Sequence, residues 1–494
     1  MRRTAYLFFA AISLLVAASG PVVGETRPHY GGTLRVMLQT SPNTLEVPTN
    51  TTPTTPTDYR DIARTLSLIG DPLVSLDAQD RPHPALAVAW QSDASARHWQ
   101  FTLRPGVKFH DGSAASSTAI AQNLGTLHPG WIVQASIVRA SIVPSTTDSV
   151  SIDSDAPMPS LLAELALPRN LLLKRNPNGV PIGTGPFLVA EWQPGKLLRL
   201  AANEESWAGR PFVDAVQIEF SKSLSDQAIA FELNKADMIE VAPSASIGLP
   251  QHTESSSASA SLSLPVELLA LVFSANSKAQ DPRLREALAL AIDRKPIQSV
   301  LLKGAGDPAA SILPNWMTGY SAVFSVRANP ARAQIVLAGA RQPALNQRYN
   351  LSYEPRDPQA QLVAERIALN AHEVGITLQV SLSGAEDLRL MRIVLPSPDP
   401  AMSLAEAARL LGLPQPEIPT ALGNSPASPD DLYQAERSLL AGFAVIPLFH
   451  LPVASAASTR VHNWETGRLG GWGEAGSSLA DIWLNESRPE AGSR

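Results

Sequence analysis

The chain has 494 residues, too many for one compact core, and 44% of them are hydrophobic, enough to build two or three. Its formal charge of −6 falls to about −8 once residues 1–24 are removed with Arg2 and Arg3, which excludes the basic surface that nucleic-acid binding requires. There is no cysteine, so disulfides, thiolate metal centres, cysteine nucleophiles and a lipidated N-terminal cysteine are excluded.

Residues 1–24 have the layout of a signal peptide, with Arg2 and Arg3 ahead of an apolar run at 6–18 and small residues up to Gly24. The run is shorter than the roughly 20 residues a membrane span needs, so export with cleavage near Gly24 and no lipid anchor is expected. Next comes GGTLRV at 31–36, where Leu34, Val36 and Leu38 alternate as in a half-buried strand. Residues 48–57 are Thr/Pro-rich and read as a loop. Trp99, Phe101 and Leu103 alternate, and the turns at Pro105-Gly106 and Asp111-Gly112 predict a β-hairpin continuing through Val107 and Phe109. Residues 126–181 are poorly patterned.

The string IGTGPF at 182–187 lacks the Lys-Ser/Thr of a phosphate loop, and its glycines are expected to serve a tight turn. A hairpin is predicted across Pro194-Gly195, a strand through Val216, Ile218 and Phe220, and a helix over 224–235. Residues 254–263 read as a loose loop before a strand around 268–273. Then comes FSANSKAQDPRLREALALAIDRKPIQSVLLKG, predicted as two consecutive helices capped by Asp281 and Asp293 and ended by Gly304. Residues 351–382 read as strand, helix, strand, with Val363, Ile367, Ala371 and Val374 on one helical face and alternation from Ile376 to Leu382.

Several of these strings, in this order, resemble one family. DPRLREALALAIDRKPI resembles DxRVRQALAxAIDRxxI of the extracellular solute-binding proteins of peptide and nickel ABC importers (the dipeptide/oligopeptide-binding family 5). GGTLRV, FTLRPGVKFHDG, GTGPF, NPARAQIVLAGA and IPLFH resemble further motifs of that family, so the similarity runs from Gly31 to Leu484. It implies an α/β, three-lobed periplasmic binding protein fold, with mixed β-sheets flanked by helices and a ligand cleft between lobes I and III. The expected division is a signal peptide at 1–24, lobe I at 25–50, 181–265 and 456–494, a reduced lobe II at 51–180, and lobe III at 266–455.

The function implied is capture of a peptide or similar small solute by lobe closure and its delivery to an inner-membrane ABC permease. No enzyme activity, cofactor, resident metal or nucleic-acid partner is expected, and a monomer is. No nucleophile elbow, HExxH or P-loop motif is present, and the nine histidines are scattered. A solute sensor or scavenger of the same fold, and a secreted hydrolase, remain as alternatives. Candidate ligand contacts are Tyr59 after the Thr/Pro loop, Tyr353, Arg356 as a carboxylate partner, and Asp399 in PSPDP. The competing reading makes Tyr353 a packing residue and Arg356 and Asp399 solvated loop charges. Family members that grip a peptide's amino terminus place an Asp three residues before this Asp-Pro; here that position is Pro396, which puts amine anchoring in doubt.

Overall fold

The computed structural model describes residues 28–46, 56–77, 81–139, 146–243, 258–320, 322–340, 347–355, 357–382, 386–418, 427–464, 467, 470–472 and 478–485. The signal peptide, most of the Thr/Pro loop and Arg356 lie outside the described residues.

One mixed sheet runs through two of the lobes. Its order is Phe187–Gln193, Leu197–Ala202, Ala215–Glu219, Thr33–Met37, Met238–Glu240, Val445–Ser458, Ala258–Phe273, Leu388–Val394, Arg348–Ser352, Thr377–Val380. On the lobe I side, Thr33–Met37 pairs parallel with both neighbours, and Leu34, Val36, Leu198, Leu200, Val216 and Ile218 share one core. On the lobe III side, Arg348–Ser352 pairs parallel with Thr377–Val380, and the helix Pro358–Glu373 crosses between them, as a strand–helix–strand pattern requires. That helix buries Val363, Ile367, Ala371 and Val374 against the helix Pro282–Ala291 and the sheet.

The two longest strands, Ala258–Phe273 and Val445–Ser458, belong to both lobes. Their antiparallel ladder is interrupted where Pro265 faces Pro452, with register shifts on both sides. Neither proline has an N–H for the ladder, so the sheet is weakest where it passes from one lobe to the other. The loose loop predicted for 254–263 is thus strand from 258 onward; a Ser/Ala run hides its pattern because small residues face both sides.

Lobe II carries a separate antiparallel sheet, Ala87–Ser92, His98–Leu103, Thr146–Asp153 and Ile132–Arg139, covered by the helix Ser117–Leu127. The predicted hairpin is corrected here. His98–Leu103 pairs with Ala87–Ser92 and Thr146–Asp153, not with 107–109. Residues 107–115 instead form a tight loop closed by Phe109 N to Ser113 O at 2.8 Å and Ala115 N to Val107 O at 2.9 Å. Ile62 and Leu66 of the helix Pro56–Leu66, with Leu68 and Ile69, pack in the same core as Leu34 and Val36.

The GTGPF string packs by close approach on residues 68–70 of the lobe I core, and residue 110 of lobe II bonds to it. A Cβ on Gly183 would sit 2.0 Å from the Ile69 carbonyl oxygen. Gly185 N donates to Ile69 O at 2.9 Å and Phe187 N to Leu68 O at 3.0 Å. His110 serves the same seam. Its Nδ1 accepts from Gly183 N at 3.3 Å, which leaves Nε2 as the donor to Gly185 O at 3.0 Å.

The predicted helix pair is present in part. Asp281 caps Pro282–Ala291 through Arg283 N at 2.9 Å, and Asp293 accepts from Lys295 N at 3.2 Å. The second helix is one short turn, Arg294–Pro296, which widens over Ile297–Leu301 and closes with Leu302 N on Ile297 O at 2.9 Å.

Lobe III also buries an acid. Glu436, on the helix Pro429–Leu440, is fully buried and accepts from Leu313 N and the Tyr320 hydroxyl, each at 2.8 Å, and from Ile312 N. Burial pushes its carboxyl up to about 7. The folded form therefore holds the proton more tightly than the unfolded chain. The stability this contributes is full below about pH 4.5 and is lost as pH rises through about 7. Glu436→Gln is expected to gain stability relative to the parent across that window, on the order of 3 kcal/mol by pH 8. His450 Nε2 donates to Ile312 O at 2.9 Å, and burial lowers its pKa to about 4, so it acts in the opposite sense between about pH 4 and 6.5. Denaturant midpoints of parent and variant, compared at each pH, cancel that contribution.

Candidate functional site

Beside the proline crossing lies a cavity of about 110 Å³ lined from both lobes. Gln39, Thr40 and Glu240 come from the ends of lobe I strands, Asp357, Arg389 and Arg392 from lobe III, and Glu267 from the long strand between them. Arg60, Glu240, Glu267, Arg392 and Asp357 form one connected array, with Arg389 and Glu354, 3.9 Å apart, beside it.

Arg60 is its centre. The helix Pro56–Leu66 turns it inward, and its guanidinium reaches Asp61 at 2.9 Å, Glu240 at 2.6 Å and Glu267. Burial works against the Arg60 charge, but Asp61, Glu267 and Glu240 together raise its pKa well above the ordinary value. Glu240 accepts in addition from Gln39 N at 2.7 Å, while burial and the Asp61 charge push its carboxyl up. Glu267 passes the array to lobe III, accepting from Arg392 Nη1 at 3.3 Å. Arg392 Nη2 donates to Asp357 Oδ2 at 2.9 Å, and Asp357 Oδ1 caps the helix Pro358–Glu373 through Gln359 N at 2.9 Å and Ala360 N at 3.2 Å. Burial lowers Arg392, and Asp357 with Glu267 more than offsets it. A row of paired charges thus runs from a lobe I helix, across the crossing strand, to a lobe III helix.

A second set of contacts joins lobe II to lobe III. Arg169 donates to Glu164 at 2.8 and 2.5 Å within lobe II, and across the gap to Glu406 Oε2 at 2.8 Å on the helix Pro400–Leu410. Arg409 Nε donates to the same oxygen at 3.1 Å. Burial alone would raise Glu406, but Arg409 and Arg169 hold it below the usual carboxylate range. Ser160 Oγ, also in lobe II, donates to Asp399 Oδ2 at 3.2 Å.

Of the sequence candidates, Asp399 caps Pro400–Leu410, accepting from Met402 N at 2.8 Å, and takes part in this second contact. Tyr59 is 3% exposed, and its hydroxyl is buried without a partner. Burial and the nearby Glu406 charge push that phenol up. Tyr353 packs, half-buried, on the lobe III core. None of these three lines the cavity between lobes I and III.

Sequence reasoning passed over Arg60, Glu240, Glu267 and Arg392. Two carried a signal. Glu267 is the single charge of LPVELLALVF, and Arg392 is with Arg389 one of two in LRLMRIVL; a fold accepts charges inside apolar strands only when they are paired.

The profile of the bacterial extracellular solute-binding proteins, family 5, middle region, matches residues 81–393, well over half of the chain. The chain belongs to this family. It is a substrate-binding component of the ABC importer type. It is 25% identical over 426 residues to the nickel-binding periplasmic protein of Escherichia coli K12, covering 78% of this chain and 76% of that one. It is also 25% identical to the probable di/tripeptide-binding protein 5 of Pseudomonas aeruginosa UCBPP-PA14, covering 77% and 76%. The fold is similar to that of AgaA from A. tumefaciens R10, solved with agropinic acid, at a TM-score of 0.73 and 19% identity over 92% of this chain and 99% of that one. Family 5 proteins act outside the inner membrane, and among the described residues no helix is long and apolar enough to cross a membrane.

Proposed function

We propose that this family 5 protein, acting as a monomer outside the inner membrane, captures a small solute in the cavity between lobes I and III and presents its closed form to an inner-membrane permease. The observation that carries the reading is the position of the cavity at the proline-interrupted crossing, with charged groups from both lobes around it. A solute touching both lobes favours the closed arrangement by its difference in affinity for the two states, and by no more than that. Export would follow from the leader at 1–24. The reading is of binding without turnover, and it needs no cofactor.

The test is a thermal-shift screen on protein unfolded and refolded to strip bound solute. The panel holds short peptides, nickel with and without histidine, opines, oligosaccharides and amino-acid derivatives. A true ligand at 100 times its dissociation constant is expected to stabilise by about 2.7 kcal/mol. A panel that shifts nothing would oppose the reading, as would chemical conversion of a bound solute.

A further inference from the structure

We propose that two copies of this chain pair through lobe II, the edge strand Ile132–Arg139 of one running antiparallel to that of the other about a two-fold axis at Ala135. The unit that captures solute remains the single copy, since no residue from 61 to 223 lines the cavity.

The edges of the two large sheets differ in how they are protected. In the long sheet, the edge strand Phe187–Gln193 is bulged between Val189 and Glu191, and Glu191 pairs with Arg199 at 2.9 Å. The opposite edge, Thr377–Val380, is only four residues long. In lobe II, the edge strand Ala87–Ser92 is bulged between Ala87 and Ala89. A bulge, a charge or a short length keeps an exposed edge from pairing with another chain. Ile132–Arg139 has none of these protections. It holds eight consecutive partners on Thr146–Asp153 without a shift, and its sequence IVQASIVR has no proline and no charge before Arg139 at the end. Among the described residues no strand pairs with its outer side. Ile132 is 57% exposed, and Gln134, Ala135 and Ser136 are exposed beside it.

The order of residues in the strand points to what covers it. Read from either end, residues 132–138 run two apolar, one polar, one small, one polar, two apolar. Pairing about Ala135 sets Ile132 opposite Val138, Val133 opposite Ile137, Gln134 opposite Ser136 and Ala135 opposite itself. This is the self-complementary pattern of a two-fold contact, in which β-branched residues meet β-branched residues and uncharged polar residues meet each other. A slip of one residue either way sets Val133 against Ser136 or Gln134 against Ile137, so the pattern also fixes the register. The two four-stranded sheets then become one, with the helix Ser117–Leu127 of each copy on the same face. The pair uses up this edge in both copies, so it closes and does not extend into a filament.

Sedimentation velocity of the mature protein over a series of concentrations tests this. One strand pair makes a small interface, so a dimer with a dissociation constant on the order of 1 µM to 1 mM is expected, and no larger species. Ala135 is exposed in the single copy and faces itself in the pair. Ala135→Lys therefore sets two lysines opposite each other and should weaken pairing at least about tenfold, as should Ala135→Glu. Mixing the two variants should restore a dimer at least as tight as the parent's, a result that only pairing at residue 135 gives. Should a charge variant fail to fold, Ala135→Cys decides. In a chain with no other cysteine it should form an interchain disulfide at least about tenfold faster than Ile229→Cys does. A parent that stays monomeric up to about 1 mM, a dimer indifferent to both charges, or variants that do not recover on mixing would overturn the proposal, and each leaves solute capture standing. A disulfide at residue 135 forming no faster than at 229 would overturn it as well.

Discussion

Replacing Arg60 by methionine is expected to cost about 3–5 kcal/mol of stability at pH 7, the typical effect of removing one partner from a buried ion pair. Methionine keeps much of the stem volume but leaves Asp61 and Glu240 without their shared cation; both are under a tenth exposed. The Glu240 carboxyl, already pushed up by burial and by Asp61, then rises further without the Arg60 charge. The variant's residual stability is therefore greatest below the ordinary carboxylate pKa and falls as pH rises through the raised value. The deficit relative to the parent should be small near pH 4 and full above pH 7. Adding Glu240→Gln should recover part of the loss, because neighbouring charges in one network do not act additively. Urea midpoints of the parent, the single variant and the double variant at pH 4.5 and 7.5 check this. An unchanged Arg60→Met midpoint at pH 7.5 would mean that the array is not held by Arg60.

The second large effect is expected on closure rather than on stability. His110 of lobe II bonds to Gly183 and Gly185 of lobe I, so the Arg169–Glu406 pair spans the gap between that body and lobe III. Closure therefore gains an ion pair that owes nothing to ligand. Arg169 is 29% exposed and Glu406 4%, so solvent screens the pair in part, and its contribution to closure is about 1–2 kcal/mol. Glu406→Gln keeps the shape and removes the charge. It is expected to lower the closed-to-open ratio by roughly 5–30-fold, and to weaken solute affinity by up to the same factor where the closed form is the one that binds. Small-angle scattering of the ligand-free protein should show a larger radius of gyration for the variant. Identical scattering curves with identical affinities would remove this contact from the closure equilibrium.

Much of the fold was legible because local chemistry and tertiary structure agree. Asp281 and Asp293 cap where their positions predict, and the one-sided apolar faces of Pro282–Ala291 and Pro358–Glu373 are the faces that pack. The failures have physical reasons. One of the two partners of His98–Leu103 is a strand some 45 residues downstream, and no local turn signal encodes a pairing at that separation. The start of Ala258–Phe273 is Ser/Ala, which hides alternation.

The candidate site was the least legible part. It is assembled from residues 39 to 454, and its charges satisfy one another across lobes. Loop position favoured Tyr59, Tyr353 and Asp399, whereas the cavity is lined by strand ends and by the helix that carries Arg60. Pro396 lies outside the cavity lining, where Glu240, Glu267 and Asp357 pair with arginines.

The central claim is that a solute closes lobe III onto lobe I. Because the chain has no cysteine, two labels can be placed cleanly, at Ile229 on the lobe I helix Leu224–Glu232 and Leu369 on the lobe III helix Pro358–Glu373, both exposed. Pulsed electron-spin distance measurement on this Ile229→Cys/Leu369→Cys variant, with and without the solute found by thermal shift, is the most direct test. A shift from a broad distribution to a shorter, narrower one is the expected result. Saturating binding with no change in the distribution would contradict it.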